Sequence, residues 1–159
     1  MAIGEIQRED GDGLAVRLGS ATVALQPSVA KERPALASYV AREVAVGIRS
    51  EDMEDARLVR DAPADTRLKA TVGLVEALGA QIVVHFELDA PKVVTEDTKL
   101  LDEDAHTDEA PAHTEITGTR LVASFAPRSR VRAGDQIEVV VDTERIHFFD
   151  PETGDAIHD

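Results

Sequence analysis

The stretch Pro127-Arg-Ser-Arg-Val-Arg-Ala-Gly-Asp-Gln-Ile-Glu-Val-Val-Val-Asp-Thr-Glu-Arg-Ile-His-Phe-Phe-Asp-Pro-Glu-Thr-Gly-Asp-Ala-Ile157 decides the fold. Ile137, Val139 and Val141 alternate with Gln136, Glu138, Val140 and Asp142, the two-residue period of a strand with one wet face. Ala133-Gly134-Asp135 is a turn that opens this strand, and Ile146 to Phe149 reads as a second, shorter one. Asp150-Pro151-Glu152-Thr153-Gly154 then reverses the chain: Pro151 presets φ, Asp150 can accept from nearby backbone, and Gly154 tolerates positive φ. No group is arranged for chemistry; the stretch reads as the closing edge of a small β-barrel.

Working outward, short apolar runs recur with turn residues between them. Ile3 to Ile6, Leu14 to Leu18 and Ala21 to Leu25 are predicted strands, the first two joined by Glu9-Asp10-Gly11-Asp12-Gly13, and Pro27 stops the third. Pro34 to Val40 is the one predicted helix, with Pro34 in its first turn where a missing N–H does no harm. Glu43 to Ile48 is a strand, Ser50 is placed to cap a single turn over Glu51 to Met53, and Arg57 to Asp65 is a polar loop. Thr66 to Leu78 is a long strand whose Gly73 calls for a bend or bulge. Gln81 to Leu88, a short edge at Lys92 to Thr95, and Ile116 to Phe125 complete the set. The expectation is an all-β, OB-like antiparallel barrel with one short helix, spanning residues 3–157. An acidic stretch of about 97–115 lacks strand alternation and is expected to be a mobile loop.

Composition narrows the function. The net charge of -14 repels phosphate backbones and anionic lipid surfaces. Nucleic-acid binding would also need stacking aromatics on a basic face, and only Tyr39, Phe86, Phe125, Phe148 and Phe149 are present. No apolar run approaches the roughly 20 residues of a membrane span, so no direct insertion is expected. There are no cysteines, which removes disulfides and Cys-based metal or redox chemistry and fits a cytosolic setting. His106 and His113 with Asp102, Asp104, Asp108 and Glu109 are the one cluster resembling a metal site, but the Ca²⁺-loop glycine is missing and a solvated acidic loop is the better reading. His85, His147 and His158 are separated and read as structural or surface groups. No catalytic residue and no metal site are expected. Arg128, Arg130 and Arg132 form a cationic turn that either offsets the acidic surface or receives an anion or a partner's carboxylate.

These residues also carry a resemblance. Pro127 followed by Gly134-Asp135, then His147, Phe149-Asp150 and Thr153-Gly154, are similar to the end of the ATPase subunits of carbohydrate-uptake ABC transporters, the maltose-type importers. Val46-Gly47-Ile48-Arg49-Ser50-Glu51-Asp52 and Val75-Glu76-Ala77-Leu78-Gly79 agree as well, with Ser50 and Ala77 standing where that family usually has proline. The resemblance runs from about Ile3 onward. It implies the C-terminal regulatory domain, of TOBE- or MOP-like architecture, with the ATP-binding half absent from this chain. No G-x-x-x-x-G-K-[ST] cradle and no Ser-Gly-Gly-Gln signature occurs, so no cofactor is expected here; ATP and Mg would bind the missing half. What is implied is a non-catalytic domain that holds two subunits as a homodimer, contacts its own ATP-binding half, meets the permease subunits indirectly and receives a regulatory protein. Its setting would be cytoplasmic, peripheral on the inner face of the membrane. Arg49 and Glu51, with Arg128, Arg130 and Arg132, are the candidate partner-binding surface. The alternative is a small-ligand module for an oxyanion or metabolite, although the Ser-Ala-Arg-Asn-like segment of related molybdate-binding modules is not present.

Overall fold

The computed structural model describes residues 1–91, 93 and 118–158. The acidic stretch with its histidines, and all of the expected Lys92–Thr95 edge but Val93, lie outside the described residues.

Among the described residues, ten strands form two five-stranded antiparallel sheets. The first holds β1 (Ala2–Arg8), β2 (Leu14–Leu18), β3 (Ala21–Ala24), β4 (Glu43–Gly47) and β10 (His147–Phe149), in the order β10-β4-β1-β2-β3. The second holds β5 (Met53–Asp55), β6 (Arg67–Ala77), β7 (Ile82–Leu88), β8 (Thr119–Phe125) and β9 (Gln136–Val141), in the order β5-β9-β6-β7-β8. Its edge strands β5 and β8 lie against each other, so this sheet curls on itself. A curled five-stranded antiparallel sheet is the OB-like form expected from the sequence. Apolar residues of both sheets merge in one core, with Ile6, Leu68, Val84, Phe86 and Val139 all fully buried.

The alternation in β9 holds: Ile137, Val139 and Val141 are buried and Gln136 and Glu138 are exposed. Gly73 behaves as expected too, since the β6–β7 register shifts between Val72 and Leu74, the mark of a bulge that lets a long strand bend. Asp150 Oδ1 accepts from the backbone N–H groups of Glu152 (2.9 Å) and Thr153 (3.1 Å), and Gly154 has φ 75°.

Three local expectations are corrected. The α-helix is α1, Pro27–Glu32, with Pro27 in its first turn; Pro34–Tyr39 is a 3-10 helix. Pro27 ends β3, but the same fixed φ and missing N–H also suit a helix start, and burial of Val29 secures the turn. Ser50 is the first residue of a 3-10 turn, Ser50–Asp52, that has no side-chain cap. Met53 opens a strand, Met53–Asp55, instead of ending a turn, because pairing with β9 at Met53↔Val141 and Asp55↔Val139 supplies the backbone partners that three residues could not find alone.

The two strands of Pro127–Ile157 do not pair with each other: β9 lies in the curled sheet and β10 pairs with β4 in the other. The crossover is a 3-10 turn, Thr143–Arg145, held from several sides. Asp142 Oδ1 accepts from Glu144 N–H (3.2 Å), Arg145 reaches Asp142 (3.4 Å) and buried Asp52 (3.5 Å), and Ser28 of α1 donates to Glu144 (2.7 Å). Arg33 donates to the Ile146 carbonyl and lies 5.9 Å over the Phe148 ring. The short helix therefore fastens the point where the chain changes sheets.

Candidate partner-binding surface

The cationic segment leaves β8 at Phe125 and enters β9 at Gln136. Burial alternates along it: Arg128, Arg130 and Arg132 are exposed, and Ser129 and Val131 are buried. The anchor is Asp55, the last residue of β5, which is 1% exposed. Ser129 donates its hydroxyl to Asp55 Oδ2 (2.6 Å), and Arg57 donates Nε to Oδ1 and Nη2 to Oδ2, both at 3.0 Å, with its backbone N–H also on Oδ1 at 3.0 Å. Burial pushes the Asp55 carboxyl up, but the bonds from Arg57 and Ser129 outweigh it and hold the group below its ordinary range. A second tie comes from Glu54, whose carboxylate accepts from the Ala126 N–H (3.1 Å).

A group whose pKa is lower folded than unfolded stabilises the fold above its unfolded value of about 3.9 and loses that contribution as pH falls through the folded value. Wild-type protein should therefore lose stability as pH drops below about 4, and part of that slope should be missing in Asp55→Asn. At pH 7 the substitution should cost about 1–3 kcal/mol, because Arg57 and Ser129 lose a charged acceptor. Urea midpoints at pH 7 and below pH 4 test this; equal pH slopes for the two proteins would show that Asp55 is not the linked group.

Arg49 and Glu51, both exposed, flank the start of the Ser50–Asp52 turn, which packs against β8. That strand leads into the arginine segment, so the two candidate segments are joined through β8. Among the described residues, Arg128, Arg130 and Arg132 make no side-chain hydrogen bond and no ion pair, whereas Arg17, Arg57, Arg67, Arg120 and Arg145 are all paired. Sequence reasoning missed Asp55, Arg57 and Ser129. A buried aspartate looks like any other aspartate in a polar loop until its strand is placed.

One cleft, of about 580 Å³, lies where Arg8, Asp12, Lys31 and Pro34 meet, and another, of about 550 Å³, lies between the β2–β3 turn and the curled sheet. The wall of the second carries Glu87, Asp89 and Glu138 against one cation, Lys69. That balance repels an oxyanion from this cleft. No group of His, Asp or Glu among the described residues is arranged to hold a metal. His85 Nε2 lies 2.8 Å from Glu76 Oε2, a surface pair. No described helix is long and apolar enough to cross a membrane.

Residues 46–111 match the TOBE domain family. The chain is 34% identical over 120 residues to a trehalose/maltose import ATP-binding protein of Thermococcus litoralis, covering 75% of this chain and 25% of that protein. It is 26% identical over 145 residues to an oligosaccharides import ATP-binding protein of Bacillus subtilis, covering 89% of this chain and 31% of the relative. A trehalose import ATP-binding protein of Mycobacterium tuberculosis is 33% identical over 114 residues, 70% of this chain and 27% of its own length. The chain thus spans about a quarter to a third of the curated relatives it matches. With its curled antiparallel sheet and these matches, the chain carries a TOBE domain and is similar to part of carbohydrate-import ATP-binding proteins.

Proposed function

We propose that this chain is the regulatory domain of the ATP-binding subunit of an ABC carbohydrate importer and takes no part in hydrolysis itself. The observation that carries this reading is the TOBE match on a mostly β scaffold similar to part of import ATP-binding proteins, in a sequence without a phosphate cradle. In this reading the groups that touch ATP and Mg lie in another part of the parent, and this domain helps hold two subunits together as a homodimer. It works on the inner face of the membrane, carried there by the permease subunits. The face around Arg49, Glu51, Arg128, Arg130 and Arg132 receives a regulatory protein.

Holding two subunits together raises their effective concentration, so losing the domain should hurt most in dilute solution. ATPase activity of the full-length and truncated parent, each assembled with its permease, should be compared across a dilution series with and without the external binding protein. The truncated form is expected to hydrolyse ATP but to fall off faster on dilution and to respond abnormally to regulators. A folded, ATP-binding truncated protein that is inert at every concentration would place this domain in catalysis and end the regulatory reading.

A further inference from the structure

The cleft of about 580 Å³ between the β1–β2 turn and the two short helices differs in its walls from the acidic one beside Lys69. Leu14, 5% exposed, lines it next to Gly13, which adds no side chain. The rest of its apolar wall is Pro27, Ala30, Pro34 and Ala37, which recur at intervals of three and four, the spacing that keeps residues on one helix face. The other face of the helical segment is anchored. Val29 and Leu36 are buried, Ser28 donates to Glu144 (2.7 Å), and Arg33 donates to the Ile146 carbonyl. Proline opens both α1 and the 3-10 helix and fixes φ there, so the wall is set before anything binds. Arg8, Lys31 and Asp12 complete the lining, and all three are exposed. Among the described residues none of them makes a side-chain hydrogen bond or an ion pair, whereas Arg17, Arg57, Arg67, Arg120 and Arg145 are paired.

We propose that this cleft binds a small amphipathic monocarboxylate, an apolar tail with one anionic head. Its size falls in the range of about 300–1,000 Å³ of small-molecule sites, and a mostly apolar wall with a few polar groups that fix orientation is their usual composition. The side chains of Leu14, Pro27, Ala30, Pro34 and Ala37 offer no donor and no acceptor. A sugar seated against them gives up hydrogen bonds to water without replacement, whereas an apolar tail gains by leaving water. The charged groups choose the head. Arg8 and Lys31 against Asp12 leave one positive charge, which a single carboxylate balances, and the Arg8 guanidinium can hold that carboxylate through two parallel N–H···O bonds. A doubly charged phosphate ester exceeds the balance and meets Asp12. The overall charge of -14 opposes any anion at long range, but at physiological salt charges beyond about 8 Å are largely screened and the nearest cations govern. The site is separate from the regulatory reading and from the arginine face, since it needs neither a second subunit nor a protein partner.

The test titrates the full chain with hexanoate, octanoate, 1-octanol, octyl phosphate and maltose, followed by calorimetry and by amide chemical shifts. Octanoate should saturate one site and move the amides of Leu14, Ala30 and Ala37. The two methylenes that separate it from hexanoate should tighten binding about tenfold, as buried tail does. Arg8→Gln and Lys31→Gln should each weaken octanoate by about two- to fivefold, as for exposed charge pairs, and Asp12→Asn should tighten it by a similar factor. Ala37→Phe, at an exposed position, should fill the cleft and abolish binding with an unchanged melting temperature, and Lys69→Gln, in the other cleft, should change nothing. Lack of saturation, no dependence on tail length, or full binding by Ala37→Phe would overturn the proposal. Octanol, octyl phosphate or maltose binding as tightly as octanoate would do the same. So would tighter binding of phosphatidylglycerol vesicles or of a leucine- and glutamate-containing peptide, which would give the cleft to a membrane or to a protein partner.

Discussion

Val139→Asp is expected to abolish cooperative folding. Val139 is fully buried in β9, between β5 and β6, opposite Asp55 on one side and Leu68 on the other. An aspartate there loses its water and faces Asp55, whose own charge is already committed to Arg57. Burying a polar group without a partner costs about 2–7 kcal/mol, and an unpaired charge more, against a total domain stability of about 5–15 kcal/mol. Glu138→Ala, one residue earlier, changes only the exposed face, where Glu138 lies 3.3 Å from Arg67. Such a pair is worth about 0–1 kcal/mol. Urea melts followed by circular dichroism should give a near-normal transition for Glu138→Ala and little or none for Val139→Asp. Similar midpoints for the two would refute the orientation of β9.

Gly19→Ala should be the second most damaging change, although a Gly to Ala substitution in a polar turn is usually mild. Gly19 has φ +60°, and a Cβ built on it would sit 1.3 Å from the Asp89 carbonyl oxygen and 2.2 Å from its carbon. No rotamer relieves that overlap, because both sides are backbone. The turn between β2 and β3 would have to lift off the end of β7, parting the two sheets where they meet. Left-handed backbone in a non-glycine residue costs about 1–2 kcal/mol, and forced repacking adds about 1–3 kcal/mol or more. Gly11→Ala is the control: Gly11 has φ +83° with nothing within 4 Å, so it carries the backbone term alone. Thermal melts should separate the two by several degrees. Equal losses would mean that the turn does not rest on Asp89.

The residues most easily read in advance were those whose local chemistry and tertiary role coincide. Gly73 bends β6 because a glycine inside a strand is a weak point for pairing, and a barrel needs that bend. Asp150 and Gly154 shape their own turn through bonds that stay within four residues. Ser50 was misread because a serine before two acids has the form of a cap, while the chain here closes a single 3-10 turn on backbone bonds, Asp52 N–H to the Arg49 carbonyl at 3.1 Å. The candidate surface was half legible. Three arginines at alternate positions stand out in an acidic sequence, but the Asp55 clamp that fixes them joins residues 74 apart.

By itself, the sequence determined the strand class, most strand positions and the inward face of β9. These follow from a two-residue period and from turn residues whose φ preferences act locally. It also determined the strongly acidic charge and the lack of a phosphate cradle. Only the tertiary structure decided that β9 and β10 part into different sheets, that β5 exists, and that Gly19 must lack a side chain. Each of these depends on a partner far along the chain: β4 for β10, β9 for β5, Asp89 for Gly19. Local preference sets how a segment is shaped, whereas the burial of a shared core sets which segments meet, and no short stretch of sequence contains that second term.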